Sequence, residues 1–336
     1  MNTDKTRTIM RKPEQNSSHN KHPTLSVAPM IDWTDRHCRF FHRLLSPNAL
    51  LYTEMITSSA ILNGDTDKLL SFSDAEHPVA LQLGGSDPAD LATSAKIGED
   101  FGYDAINLNC GCPSDRVQKG KFGACLMAEP QLVADCVGAM RNAVQLPVTV
   151  KCRIGIDNSD DYPFLEQFIK TVMDAGCDTF IVHARKAWLK GLSPKENREI
   201  PPLRYDIAAE IKQKFPNLTI ILNGGITTTD QVQNALTSFD GVMIGREAYN
   251  NPWFLTELEH SLFGTPAPDR FDICRQMVDY INGQNSTIHS TTRHMLGLFN
   301  GMRGARQFRQ ILSTDVHTAT SAQEVMEKAL KSLKPL

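Results

Sequence analysis

Eight short runs rich in apolar and β-branched residues recur along the first three quarters of the chain. They are Thr24–Met30, Ala49–Met55, Val79–Gly85, Ala105–Cys110, Val148–Gly155, Thr179–Arg185, Thr219–Gly225 and Gly241–Arg246. Segments of helical character separate them: Pro88–Phe101, Glu129–Val144, Tyr162–Ala175, Tyr205–Phe215 and Thr229–Leu236, with Trp33–Leu45 in the first gap and Ser58–Leu70 in the second. Near-continuous apolar strands alternating with helices predict a parallel sheet covered on both faces. Eight such units in about 225 residues predict an α/β fold closed as a (β/α)8 TIM barrel. An open doubly wound sheet is disfavoured, because no Gly-x-Gly-x-x-Gly follows the first run.

The alternation stops near Phe263. A Gly/Pro-rich stretch over 263–268 reads as a linker. Helices are predicted over Asp269–Asn282, Thr292–Arg303, Ala305–Leu312 and Ala322–Leu333. Met295, Leu298, Phe299 and Met302 form an i, i+3, i+4, i+7 stripe in the second of these. At the other end, Met1 to Pro23 lacks the apolar core of a signal peptide and carries Lys5, Arg7, Arg11, Lys12 and Lys21 against Asp4 and Glu14. The expected organisation is a disordered basic arm (1–23), a barrel (24–263) and an all-helical domain (264–336). No run approaches the ~18 apolar residues of a membrane helix. Eight cysteines in 336 residues are too sparse for a disulfide scaffold. Their spacing completes no zinc site. The expectation is a cytoplasmic monomer with free thiols and no metal.

Polar residues cluster where the strands end: Asp32 after Met30, Glu54, Gln82, Asn107 and Asn109, Lys151 and Arg153, His183 and Arg185, Asn223, and Arg246. Barrel active sites lie at the C-terminal ends of the strands. Polar groups in apolar strands are costly without partners, so their repetition at one end predicts the site. Asn223-Gly224-Gly225 and Gly245-Arg246 close the last two strands. Their glycines admit close backbone approach, and the arginine adds charge. This points to a phosphorylated cofactor or substrate, with a flavin mononucleotide, a sugar phosphate and a nucleotide all compatible.

Cys112, in a Gly/Pro turn directly after the fourth strand, faces the catalytic end as nucleophile or proton donor. Spacing leaves Cys110 open, and the other six cysteines read as buried small hydrophobes. Lys151 suits either an electron-rich cofactor ring or an ion pair with Glu54. His183 suits a phosphate, a substrate carbonyl or a capped core position. The net charge of −3 conceals an asymmetry: residues 265–336 carry nine Lys/Arg against six Asp/Glu, and no acid lies between Tyr280 and Thr314. Arg303 and Arg306, one turn apart beside Gly301 and Gly304, form a basic patch suited to RNA phosphates or to a plain solvated face.

Asn107-Leu108-Asn109-Cys110-Gly111-Cys112-Pro113, continued through Val117, Gly120 and Gly123-Ala124-Cys125-Leu126-Met127, resembles the tRNA-dihydrouridine synthases. Ala28-Pro29-Met30, Gln82, Lys151, His183-Ala184-Arg185, Asn223-Gly224-Gly225 and Gly245-Arg246 fall at that family's other motifs, and the insert from Gly191 to Leu203 is similar to its A subfamily. The resemblance implies a barrel that binds FMN through Pro29, Met30, Gln82, Lys151, His183, Asn223, Gly224, Gly225, Gly245 and Arg246. It implies NADPH as reductant and tRNA as partner, with uridines 20 and 20a of the D loop as targets. Cys112 matches the acid that protonates C5 as hydride reaches C6. Asn109 matches a contact to the target base and Lys186 a position beside the RNA, and Arg303 and Arg306 are the expected tRNA contacts on the charge reading as much as on the resemblance. A barrel acting on a free pyrimidine, dihydroorotate dehydrogenase-like, is the alternative that the basic tail disfavours.

Overall fold

The computed structural model describes residues 24–159 and 161–333. The basic arm expected over 1–23 lies outside them. Eight parallel strands form one sheet: β1 (Leu25–Val27), β2 (Leu51–Thr57), β3 (Val79–Gly84), β4 (Ala105–Cys110), β5 (Val148–Arg153), β6 (Thr179–His183), β7 (Thr219–Asn223) and β8 (Gly241–Ile244). Consecutive strands pair from β2 to β8, and β8 pairs with β1. A parallel bridge between Ser26 and Leu50 closes the circle. The (β/α)8 barrel expected from the alternation is therefore present.

The inner core is small: Ala28, Leu50, Tyr52, Ala80, Ala105, Ile181, Ile221 and Met243, with Met30 packed on it. The larger core lies between the strands and the surrounding helices. Those helices are α1 (Arg36–Leu45), α2 (Ser58–Asn63), α3 (Thr66–Leu70), α4 (Pro88–Phe101), α5 (Asp115–Lys119), α6 (Pro130–Ala143), α7 (Tyr162–Asp174), α8 (Tyr205–Lys214), α9 (Thr229–Leu236), α10 (Arg246–Asn250) and α11 (Trp253–Phe263). Pro88, Pro130 and Pro163 occupy first-turn positions, where a missing N–H costs nothing.

The second gap does not hold one helix over Ser58–Leu70. A Cβ at Gly64 would stand 2.5 Å from the Ala60 carbonyl oxygen, and Asp65 starts α3 by accepting the Lys68 amide. Residues Ala28–Met30 likewise leave the strand, and the Met30 carbonyl accepts the Trp33 and Thr34 amides in a turn.

Beyond the 264–269 stretch come α12 (Arg270–Asn282), α13 (Ile288–Thr292), α14 (Ala305–Ser313) and α15 (Ala322–Lys331). The helix expected over Thr292–Arg303 does not form. Its backbone makes successive three-residue turns, with Met295, Leu298, Asn300 and Met302 amides each donating to the carbonyl three residues back. Gly301 and Gly304 lie at φ +81° and +96°, which ends any helix there. The apolar stripe is nonetheless buried at Met295, Leu298 and Phe299. Short turns spaced three residues apart present nearly the same face as a helix.

The helical segment is sewn to the barrel by directed contacts. Asp35, the N-cap of α1, accepts Nη2 of Arg293 at 2.6 Å and Nε2 of His294 at 3.1 Å. The His37 ring meets the Tyr280 hydroxyl at 2.9 Å. Asn300 donates to the Asn250 carbonyl at 2.7 Å, and the Arg270 guanidinium stacks 3.9 Å above Trp253. Among the described residues no helix is long and apolar enough to cross a membrane.

Candidate active site

Strand periodicity sorts the side chains at the barrel mouth. In β4, Ile106, Leu108 and Cys110 point outward into the helix-facing core, so Asn107 and Asn109 point inward. In β5, Val148, Val150 and Cys152 point outward and Thr149, Lys151 and Arg153 inward. The inward set forms a ladder across strands. Gln82 Nε2 donates to Asn107 Oδ1 at 2.7 Å, Asn107 Nδ2 donates to Thr149 Oγ1 at 2.9 Å, and Asn109 Nδ2 donates to Gln82 Oε1 at 2.9 Å. Asn109 Oδ1 then accepts the Gly111 amide at 3.1 Å and the Cys112 amide at 3.0 Å. Asn109 thereby sets the turn that carries the cysteine.

The two neighbouring thiols separate cleanly. Cys110 is wholly buried opposite Cys152, and burial pushes its pKa far up. Cys112 is partly accessible beyond the strand end, with Sγ 3.7 Å from Ser114 Oγ. Its carbonyl accepts the Ala124 amide. That return is tight because Gly123 lies at φ +78°; a Cβ there would be 2.5 Å from the Cys112 oxygen and 2.4 Å from Val117 Cγ1.

Lys151 does not pair with Glu54. Its Nζ donates to Asn223 Oδ1 at 3.1 Å, and Asn223 Nδ2 donates to the Met243 carbonyl at 2.8 Å. Glu54 instead accepts the Asp32 amide, which turns it towards the first loop. Burial, then the charge of Arg153, pushes the Lys151 pKa down to about 8. Burial also drives His183 well below the ordinary imidazole value, helped by Arg153, Lys151, Arg185 and Arg198. His183 is therefore a neutral hydrogen-bonding ring at pH 7.

At the ends of β7 and β8 the backbone is shaped by contact and by space. Gly224 lies at φ +114°, with His183 Cδ2 only 2.6 Å from where its Cβ would be, and Leu203 stands 2.4 Å from the corresponding point at Gly225. Gly245 has nothing within 4 Å of that point. Arg246 reaches Glu199 Oε1 at 2.6 Å and the Arg198 carbonyl at 3.3 Å. Pro29 and Met30 sit half-buried at the end of β1. Lys186 lies with its Nζ 4.3 Å above the Trp188 ring. Arg303 and Arg306 are exposed on the helical segment, away from this ladder in sequence and element.

Arg153 and Arg185 belong to the strand-end set that predicts the site but carry no assigned role there, and Arg198 was not marked by the sequence at all. Arg153 was recognisable by phase, being two residues after Lys151 on the same strand face. Arg198 had no comparable signal, since loop geometry alone brings it towards Arg153 and His183. Lys151, Arg153, Arg185, Arg198 and Arg246 gather around one mouth, and among the described residues Glu199 is the carboxylate that pairs with any of them. Such a surplus favours an anionic group in the mouth. The open space at Gly245, the half-buried ammonium of Lys151 and the neutral ring of His183 fit the phosphate and ring of a flavin mononucleotide.

Fold and mouth together define a parallel barrel with a cation-rich mouth and an accessible thiol at the fourth strand end. The dihydrouridine synthase (Dus) family model matches residues 26–334, and the chain belongs to that family. It is 58% identical over 314 residues to the tRNA-dihydrouridine(20/20a) synthase of Pseudomonas putida, covering 92% of this chain and 94% of that protein. The Vibrio cholerae protein of the same name is 57% identical over 315 residues, covering 92% and 96%. Among solved structures, an old yellow enzyme homologue from Zymomonas mobilis superposes with a TM-score of 0.52 at 13% identity, covering 74% of this chain and 90% of that one. A 2-naphthoyl-CoA reductase complex gives 0.53 at 12% identity, covering 72% and 50%. These two likenesses speak for the barrel fold.

Proposed function

We propose that this chain reduces uridines 20 and 20a in the tRNA D loop to 5,6-dihydrouridine, using FMN and NADPH. The observation that carries the reading is the accessible Cys112 turn, locked by Asn109 and Gly123, beside a mouth of five cations among which, in the described residues, only Arg246 pairs with a carboxylate, Glu199. FMN, when bound, supplies the hydride that NADPH provides and that reaches C6 of the uracil. Pro29, Met30, Gln82, Lys151, His183, Asn223, Gly224, Gly225, Gly245 and Arg246 hold it in this reading. Lys151 would balance negative charge on the flavin ring, and Arg246, which pairs with Glu199 here, would hold the phosphate.

Cys112 donates its thiol proton to C5 as the C6–H bond forms, so no free enolate accumulates. Asn109 holds the cysteine turn and the base edge together. A stacked loop nucleotide must leave its stack to enter the mouth. Lys186, Arg303 and Arg306 hold the surrounding RNA through phosphates.

Replacing Cys112 with Ala tests this directly. Dihydrouridine formation, measured by mass spectrometry of tRNA, is expected to fall by at least about 10²-fold with flavin retained. Cys110→Ala, the buried neighbour, keeps the normal rate. A normal rate in Cys112→Ala refutes the proton-donor role, and loss of dihydrouridine elsewhere than 20 and 20a in cells lacking the protein refutes the target.

A further inference from the structure

Arg153 is 3% exposed, at the inward end of β5. A guanidinium so placed ordinarily faces a carboxylate, because an unpaired buried charge is expensive. Among the described residues Arg153 makes no ion pair. Its three hydrogen bonds all go to backbone carbonyls, one in the loop after β4 and two at separate points of the long loop between β6 and α8. Nε donates to Gly111 at 2.9 Å, in the turn before Cys112. Nη1 donates to Lys186 at 2.9 Å, in the loop after β6. The same Nη1 donates to Asn197 at 2.9 Å, in the centre of the 188–203 loop.

Asn197 extends that grip. It is wholly buried, its Oδ1 accepts the Trp188 amide at 2.7 Å, and its Nδ2 donates to the carbonyls of Trp188 at 2.9 Å and Leu192 at 3.2 Å. Gln118, just past the cysteine turn, adds a parallel tie by donating to the carbonyls of Pro113 at 2.8 Å and Leu189 at 2.7 Å. The cysteine turn and the 188–203 loop therefore meet through Arg153 from below and Gln118 from the side.

We infer that Arg153 is a positioning residue for the reaction: one guanidinium holds the Cys112 turn at a fixed place relative to two points of the β6–α8 loop, Lys186 and Asn197. The inference rests on the reading of Cys112 as proton donor to an RNA-borne base. A planar fork of donors can serve three carbonyls in fixed directions, and a lysine ammonium cannot reproduce that geometry. A donor misplaced by about an ångström loses on the order of a hundredfold in rate, even where the displaced group lies away from the chemistry.

The test uses the flavin-loaded enzyme with Arg153→Lys and Arg153→Met. Three quantities are read: the rate at which NADPH bleaches the flavin, kcat and KM for tRNA, and the rate of trypsin cleavage after Lys186, Lys190, Lys195 or Arg198, mapped by mass spectrometry. NADPH bleaching is expected to persist in both variants, which shows that they fold and load flavin, and the rates on tRNA are read against it. The kcat on tRNA is expected to fall about tenfold to a hundredfold in both variants, KM to rise, and loop cleavage to speed several-fold.

Retention of wild-type kcat and KM overturns the inference, whether or not the loop is cut faster. Lost bleaching with unchanged loop cleavage also overturns it, because Arg153 then serves the cofactor. Gln118→Ala is the second variant should Arg153→Met fail to load flavin. It leaves Arg153 intact, so the inference expects a kcat loss smaller than about tenfold, and a larger loss with unchanged loop cleavage counts against it. Cys112→Ala assayed alongside separates the two readings. If it stays active the proton-donor role falls, while loop cleavage in Arg153→Met still reports whether the guanidinium ties the loops.

Discussion

Lys151 shows how one residue carries opposite consequences for stability and for binding. Its ammonium is half-buried beside Arg153, and Asn223 Oδ1 is an uncharged partner. Burial lowers its pKa from 10.5 to about 8. The unfolded chain therefore binds more protons between those two values, and the free protein gains stability as pH rises from about 8 towards 10.5. Below about pH 8 the folded protein carries the full cost of the half-buried charge. Lys151→Met is expected to stabilise the flavin-free protein at pH 7, by on the order of 1–3 kcal/mol. It should also flatten the rise in melting temperature between pH 8 and 10, and weaken FMN binding. Thermal melts of both proteins across that range, with and without FMN, check all three.

Residue-scale reading of the sequence succeeded where strand phase applied. Asn109, Lys151 and Cys112 were legible as mouth residues from position alone. Cys110 was left open because spacing alone does not decide its side, and the strand gives it the outward phase of Ile106 and Leu108. The absence of a Lys151–Glu54 pair was not legible, since it depends on the Asp32 amide that captures Glu54.

At the scale of elements, the strands and barrel helices follow from apolar periodicity and caps, and their limits came close to expectation. The failures lie where glycine decides. Apolar spacing in 292–303 fits a helix, but Gly301 and Gly304 impose left-handed backbone and the chain makes tight turns with the same residues buried. Spacing reports which side is buried, and it is indifferent to whether 3.6 or three residues make a turn. The loop after β7 is governed in the same way. Gly224→Ala forces a Cβ into the His183 ring at a φ of +114°. It is expected to cost about 1–3 kcal/mol by urea unfolding. It should also tilt His183 and reduce FMN affinity, whereas Gly138→Ala, in α6 with open space around it, should not weaken the protein.

At the scale of the whole molecule, Asp35 joins barrel to helices. Burial pushes its carboxyl up, but the hydrogen bond and charge of His294, the Cys38 amide and Arg293 outweigh this and hold it well below the ordinary carboxylate range. A depressed pKa contributes stability that is complete above the ordinary value of 3.8 and fades as pH falls below it. Asp35→Asn is expected to lower unfolding free energy by about 1–2 kcal/mol at pH 7, with Arg293 partly solvated. The deficit should shrink steadily in melts taken below about pH 4. No sequence pattern pointed to this contact, because its partners stand 258 residues apart.

The closing of the barrel has a further consequence, for the order in which the protein can be made. β1 is the first strand to leave the ribosome, yet its register partners Val242, Met243 and Ile244 are among the last barrel residues to follow. Until they arrive, the β1 and β2 side of the sheet has the single Ser26–Leu50 bridge for closure, and a nascent edge is left open. Long-range parallel pairing of this kind folds slowly and exposes apolar surface meanwhile. Completion of the last strand, and not the growth of successive units, is then the event that commits the newborn chain to its native form.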